Sequence, residues 1–240
     1  MDVKLIIYYL CIALGGAASA VINLISGKRA GIPPKAVKIY VAIGIVTGVF
    51  SALLMGQLQN LVMGLTGLPY YPARLRIFGA LLFLPVWLYI PVKYMGGDFH
   101  RVLDVLSAGI YAMLGISKIG CAAYGCCYGI ECSFGVVTPF EEHTVFPVQL
   151  LECVLSLIIA ALTLILVHRK GYRKGAVYPL SLIIYGIMRF AVEFLRYYPE
   201  AEKTYFAGIN FWQAISLICI LTGTIWLTYI LLKQRKSIHK

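Results

Sequence analysis

Acidic side chains are scarce in these 240 residues: ten Asp and Glu stand against 21 Lys and Arg, and charged residues of both signs make up only 13%. A soluble domain carries roughly 25%, so a water-facing surface of ordinary composition is excluded. A positively charged start is missing too. Asp2 and Lys4 cancel, which removes the basic n-region a secretory signal peptide needs. Although Ala17-Ala18-Ser19-Ala20 imitates a cleavage site, Val21 to Ile25 continue the apolar run past it, and the segment reads as an uncleaved first span. No soluble domain, linker or tandem repeat is visible. Residues 1–240 read as a single polytopic membrane domain.

What is present is apolar: 60% hydrophobic residues and a mean hydropathy of +0.84. A bilayer core of about 30 Å takes roughly 20 helical residues. The spans fall at 4–25, 37–59, 77–95, 102–121, 148–167, 177–197 and 211–232, predicting an all-α integral membrane protein of about seven transmembrane helices. Pro33-Pro34 precedes the second span, Pro147 opens the fifth, and Pro85 inside the third predicts a kink. Gly44 and Gly48 form a small-xxx-small pair that predicts a close helix neighbour.

Fourteen of the 21 basic residues lie in alternate connections: Lys28, Arg29, Lys35 and Lys38; Lys93 and Arg101; Arg169, Lys170, Arg173 and Lys174; Lys233, Arg235, Lys236 and Lys240. The remaining connections lean acidic, with Glu131, Glu141 and Glu142 in one and Glu200 and Glu202 in another. Lys and Arg in short loops mark the cytoplasmic side, so the N-terminus is expected outside and the C-terminus in the cytoplasm. The net charge of +11 sits at helix ends, facing lipid headgroups. No nucleic-acid partner is expected.

Ionisable residues inside spans are functional hypotheses by default, and six qualify: Asp104, Lys118, Glu152, Arg189, Glu193 and Arg196. Tyr185, Arg189, Glu193 and Arg196 are spaced four, four and three residues apart, which puts them on one helix face. Two arginines with one glutamate leave a positive stripe. It either grips an anionic group such as a lipid phosphate or forms an ion-pair ladder that locks helices together. Lys118 either joins that site or snorkels outward as an anchor. Asp104, about 21 Å away along the same helix, is not its partner. Gln149 and Glu152 present polar groups at the same depth as the stripe, or make interhelical hydrogen bonds.

Five of the seven cysteines cluster between Cys121 and Cys153. Vicinal Cys126-Cys127 departs from the usual zinc spacing of two to four residues. A Cys121/Cys126/Cys132/His143 ligand set, a thiolate nucleophile favoured by Lys118, disulfides and simple packing in a tight turn all remain open. The segment 122–147 is long for a connection.

Three stretches carry a family resemblance: Gly115 to Gly129; Pro147-Val148-Gln149-Leu150-Leu151-Glu152; and Tyr185-Gly186-Ile187-Met188-Arg189-Phe190-Ala191-Val192-Glu193-Phe194-Leu195-Arg196, preceded by Gly175-Ala176-Val177. Together they resemble the prolipoprotein diacylglyceryl transferases. That family comprises seven-span bacterial enzymes that move a diacylglyceryl group from phosphatidylglycerol to a lipoprotein cysteine. The resemblance implies a transferase of the bacterial plasma membrane, with Arg189, Glu193, Lys118 and Glu152 catalytic. Arg196, Gln149, Tyr185, Gly120, Gly125, Gly129, Cys121 and Cys126 are expected to bind substrate. No cofactor and no metal are implied. The partners are phosphatidylglycerol and a secreted-protein or small-molecule acceptor. The chain departs from the family pattern at Lys118 (Arg), at Cys121 (Asn), at Tyr124-Gly125-Cys126 (Asn-Gly-Glu), and at Phe78 and Phe146, which replace histidines. Two other readings follow from these departures. One is a membrane thiol-redox or metal protein built on Cys126/Cys127, and the other a non-catalytic phospholipid-binding or transport paralogue. For the general base, Glu152, Glu193 and His143 stay open.

Overall fold

The computed structural model describes residues 3–65, 77–137, 143–198, 205–206 and 208–238. Glu141, Glu142, Glu200, Glu202 and Lys240 lie outside the described residues. Among the described residues, seven helices are long and apolar enough to cross a membrane. They are α1 (Val3–Arg29), α2 (Pro34–Leu65), α3 (Ile77–Tyr94), α4 (Phe99–Tyr124), α5 (Val148–His168), α6 (Val177–Val192) and α7 (Phe211–Ile238). Every expected span falls on one of them. The sixth differs at its end: the α-helix stops at Val192, Glu193–Leu195 form a 3₁₀ turn, and Arg196 is extended.

Lipid offers no hydrophobic drive between helices, so membrane bundles close on small and polar residues and leave apolar ones outside. α1 follows that rule. Ile6, Leu10, Leu14, Val21 and Ile25 are exposed, while Gly15, Ser19, Asn23 and Gly27 form a buried stripe at four-residue spacing that packs against α4 and, at Gly27, against Val37 of α2. A Cβ added at Gly15 would stand 2.9 Å from the Met113 carbonyl, and one at Gly120 would stand 2.9 Å from Cys11 Cβ. α4 is the central helix, touching α1, α3, α5 and α6. α2 pairs with α3, and α6 with α7. Gly44 and Gly48 do face α3, at ordinary contact distances from Leu84 and Ala80. The closer approach is at Gly79, where any side chain would run into the Ser51 carbonyl. Pro85 and Pro91 both lie within α3.

Asp104 is fully buried and accepts hydrogen bonds from Gly175 N (2.5 Å) and Tyr178 N (2.8 Å). Ala176, the N-cap of α6, has no side-chain hydrogen bond of its own. Asp104 supplies the missing acceptor from another helix and complements the positive end of the α6 dipole. Its place in the membrane is therefore explained by capping.

Between α4 and α5 the chain forms an irregular antiparallel hairpin of β1 (Glu131–Val137) and β2 (Thr144–Val145). A second small hairpin, β3 (Tyr205–Phe206) with β4 (Ile209–Asn210), leads into α7. The exit of α6 is stitched to the exit of α4. Ile130 N donates to Leu195 O (3.0 Å), Tyr197 N donates to Tyr128 O (3.2 Å), and Gly129 N donates to Phe146 O (2.9 Å). Gly129 and Arg196 form an isolated bridge. These backbone bonds bring the ends of α4 and α6 and the start of α5 to one point.

Candidate active site

At that point five charged side chains meet. Glu152, on the second turn of α5, pairs with Lys118 of α4, with Arg189 of α6, and with Arg196 Nη2 at 2.7 Å. Arg189 Nη2 reaches on to Glu193 Oε2 at 2.9 Å, and Arg196 Nε stands 3.8 Å from the same oxygen. The Tyr198 hydroxyl donates to Glu193 Oε1, and Asn210 Nδ2 donates to it at 3.4 Å. Glu152, Arg189, Glu193 and Arg196 are all buried. Three cations against two carboxylates leave one positive charge in excess.

Aromatic rings wall the cluster. The Arg189 guanidinium lies 5.9 Å from the centre of the Phe78 ring, close enough for a cation–π contact. Phe78 stacks on Trp212 and meets Tyr185 edge-on, and Tyr185 meets Tyr111. Burial and the neighbouring Glu193 push the Tyr198 phenol up, so it stays a hydrogen-bond donor at neutral pH.

Beside the ions lie three thiols. The sulfurs of Cys121, Cys126 and Cys127 are all within 4.8 Å of one another, and each residue is half-buried. The last turn of α4 closes on Gly125 in the left-handed region (φ 86°), whose N–H bonds Cys121 O and Ala122 O. Cys127 is itself left-handed at φ 62°, which turns the chain back over the helix end. Hydrogen bonds from Cys121 and Cys126 hold the Cys127 thiol well below the usual range, and Lys118 and Arg196 reinforce this with their charge. Hydrogen bonding with Cys121, and then with Cys127, pushes Cys126 up. Gln149 Nε2 donates to Cys126 O at 2.7 Å, while its buried Oε1 has no hydrogen-bond partner. Arg196 Nε is likewise a buried donor with no acceptor in hydrogen-bond geometry.

The sequence reading placed most of these residues together, with corrections. Lys118 is no membrane anchor, because it is paired with Glu152. Arg196 is not on the α6 face; the 3₁₀ turn carries it off the helix, yet its guanidinium still returns to Glu152. The positive stripe of α6 is neutralised in part from α5, which the spacing on one helix does not show. Gly120, Gly125 and Gly129 have packing and turn roles. Gly120 lets α1 approach α4, Gly125 caps α4, and a Cβ at Gly129 would stand 2.5 Å from Leu195 O. The Cys121/Cys126/Cys132/His143 set does not assemble. Cys127 completes the group instead, and His143 stands 4.0 Å from Glu131 in the hairpin. Tyr198, Asn210 and Trp212 were missed. A signal for Asn210 was available, since Asn210 and Gln213 form a reciprocal cap at the start of α7 (Gln213 N to Asn210 Oδ1, 2.8 Å; Asn210 N to Gln213 Oε1, 2.9 Å).

Known proteins resemble this chain over most of its length. A phosphatidylglycerol–prolipoprotein diacylglyceryl transferase of Clostridium tetani is 28% identical over 192 residues, covering 74% of this chain and 76% of that protein. A second enzyme of that name from Clostridium perfringens is 30% identical over 144 residues, 57% of this chain and 55% of the relative. One from Dehalococcoides mccartyi is 28% identical over 171 residues, 68% and 64%. The family described as prolipoprotein diacylglyceryl transferase matches residues 1–229, and the chain belongs to that family.

Proposed function

We propose that this protein is a membrane diacylglyceryl transferase that takes its lipid group from phosphatidylglycerol, as the names of its relatives say of them, and passes it to a thiol. The observation that carries the reading is the buried ion cluster with one positive charge in excess, formed by Lys118, Arg189 and Arg196 around Glu152 and Glu193. A phosphodiester brings one negative charge and would complete the balance. Arg196 Nε–H, which lacks an acceptor, points to a contact with a phosphate oxygen, and Gln149 Oε1 to one with a headgroup hydroxyl. A mainly apolar groove of about 440 Å³ between α2 and α3, lined by Leu54, Met55, Gln57, Leu58, Leu61 and Phe83, is suited to an acyl chain.

In the transfer, the acceptor thiol gives its proton to solvent and its sulfur attacks the glyceryl carbon next to the phosphate. The carbon–oxygen bond breaks and glycerol phosphate leaves with the electron pair. Charge grows on the departing phosphate, and preorganised cations in a site shielded from water lower that barrier. Glu152 faces three cations and Glu193 is tied to Arg189 and Tyr198. Both carboxylates hold the cations in place, and neither is a free base. The site would open on the outer face, with the N-terminus outside.

Purified protein in nanodiscs with headgroup-labelled phosphatidylglycerol and a single-cysteine peptide tests this. Release of labelled glycerol phosphate together with a diacylglyceryl-modified peptide is expected. Bound lipid without release, in correctly inserted protein, would make it a lipid-binding paralogue.

A further inference from the structure

The resemblance to the family supplies no metal, and sequence spacing argued against one. The fold changes that argument. Cys121 sits on the last turn of α4, and the left-handed pair Gly125 and Cys127 folds the next residues back onto it. Cys126 N bonds Cys121 O at 3.1 Å. Residues that look too close in sequence thus converge from a helix end and its returning loop. A redox pair needs two thiols, and here there are three, with all sulfurs within 4.8 Å. Among the described residues no imidazole or carboxylate joins the group, so the donor set is purely soft sulfur. In a tetrahedral zinc site with Zn–S of about 2.3 Å, the sulfurs stand about 3.8 Å apart. Closing from the observed limit requires a contraction of only about 1 Å.

We propose that Cys121, Cys126 and Cys127 form a three-thiolate zinc site whose open fourth position takes the acceptor thiol. Three thiolates on Zn²⁺ carry one net negative charge. Lys118 is one turn before Cys121 on the same face of α4, and Arg196 is bridged to Gly129, two residues after Cys127. Soft thiolates select Zn²⁺ or Cu⁺ among common metals, and a zinc with three protein ligands keeps a fourth place for an incoming group. A thiol bound there is deprotonated by the metal, its proton leaving to solvent. Its sulfur then attacks the glyceryl carbon, and the glycerol phosphate leaves toward Arg189 and Arg196. The site would supply a thiolate where, among the described residues, both carboxylates at the ions are held in ion pairs.

The metal site stands on the thiol geometry; only the role of its fourth position rests on the transferase reading. The test uses the full chain purified anaerobically in detergent with a non-thiol reductant. Zinc content by mass spectrometry is expected at about one ion per chain. It should fall to background in Cys121→Ser, Cys126→Ser and Cys127→Ser and persist in Cys11→Ser. Cobalt exchanged into the parent should show thiolate-to-cobalt charge-transfer bands of a tetrahedral site, a readout that counts sulfur ligands even if a serine variant fails to fold. Adding a single-cysteine peptide should shift those bands. No zinc on the parent with its thiols free, a disulfide within the trio under these conditions, zinc retained by all three variants, or binding of Cu⁺ but not Zn²⁺ would each overturn the site. Unchanged cobalt bands on adding peptide would overturn the open position. A metal-free parent that transfers lipid sinks the site and leaves the transferase standing; a zinc-loaded parent that transfers none does the reverse.

Discussion

Arg189 links the two carboxylates of the site, touching Glu152, Glu193 and the face of Phe78. Arg189→Ala is expected to lower phosphatidylglycerol turnover by roughly a hundredfold or more, the loss of about 3 kcal/mol of transition-state stabilisation from one preorganised charge. Normal insertion with turnover at the parent rate would reduce Arg189 to an ion-pair strut. Glu152 makes the complementary case. Replacing it with Ala leaves two buried arginines and the half-buried Lys118 facing one carboxylate, and breaking a buried pair by removing one partner costs about 3–5 kcal/mol. A clear fall in Tm in detergent is therefore expected for Glu152→Ala, with partial recovery when Lys118→Met removes one of the stranded cations. No recovery in the double variant would mean that Lys118 is not held by Glu152 for charge balance.

At the scale of helices, α3 matters because it delivers Phe78 to Arg189. Its approach to α2 is fixed at Gly79, where a side chain would collide with the Ser51 backbone, and by Trp87 Nε1 donating to Ser51 Oγ at 2.9 Å. Gly79→Val should cost about 1–3 kcal/mol by overpacking and reduce turnover through displacement of Phe78. Gly48→Ala, whose Cβ would meet Ala80 at 3.7 Å, should behave like the parent in the same assays. Equal effects of the two changes would show that α3 is not seated by Gly79. Gly44 and Gly48 signalled a helix neighbour, and they do face α3, but the tightest point is Gly79, because a small-xxx-small pattern reports which face is narrow and not how deep the partner sits. The spans themselves were legible, since length and apolar composition are imposed by the bilayer. The buried Gly15, Ser19, Asn23 and Gly27 stripe was equally available in sequence and was passed over beside the louder signal of the second span. Asp104 capping α6, Glu152 gathering cations from two helices, and Cys127 joining Cys121 and Cys126 were not legible. Each depends on contacts between elements, and Cys127 also on a left-handed residue that is not glycine.

For the whole molecule, antiparallel helices sort the charges by end. The basic ends of α1, α3, α5 and α7 (Lys28, Arg29, Lys93, His168 with Arg169, and Lys233 with Arg235) share one side with the starts of α2 and α6. The exits of α4 and α6 and the starts of α5 and α7, which build the candidate site, lie at the other. Each Lys or Arg near an anionic cytoplasmic leaflet contributes about 1 kcal/mol, and the positive-inside rule orients short loops accordingly. The expected orientation therefore puts Lys174 in the cytoplasm and the β1–β2 hairpin, with the thiols and ions beneath it, on the outer face. Membrane-impermeant maleimide on intact cells should label His143→Cys above the background of the parent's own cysteines. Lys174→Cys should label only after permeabilisation, and fluorescent protein fused after Lys240 should fold and fluoresce as a cytosolic reporter. Labelling of position 174 from outside, with 143 protected, would invert the protein and place the lipid site on the cytoplasmic leaflet. A secreted acceptor would then be excluded and a cytosolic thiol required.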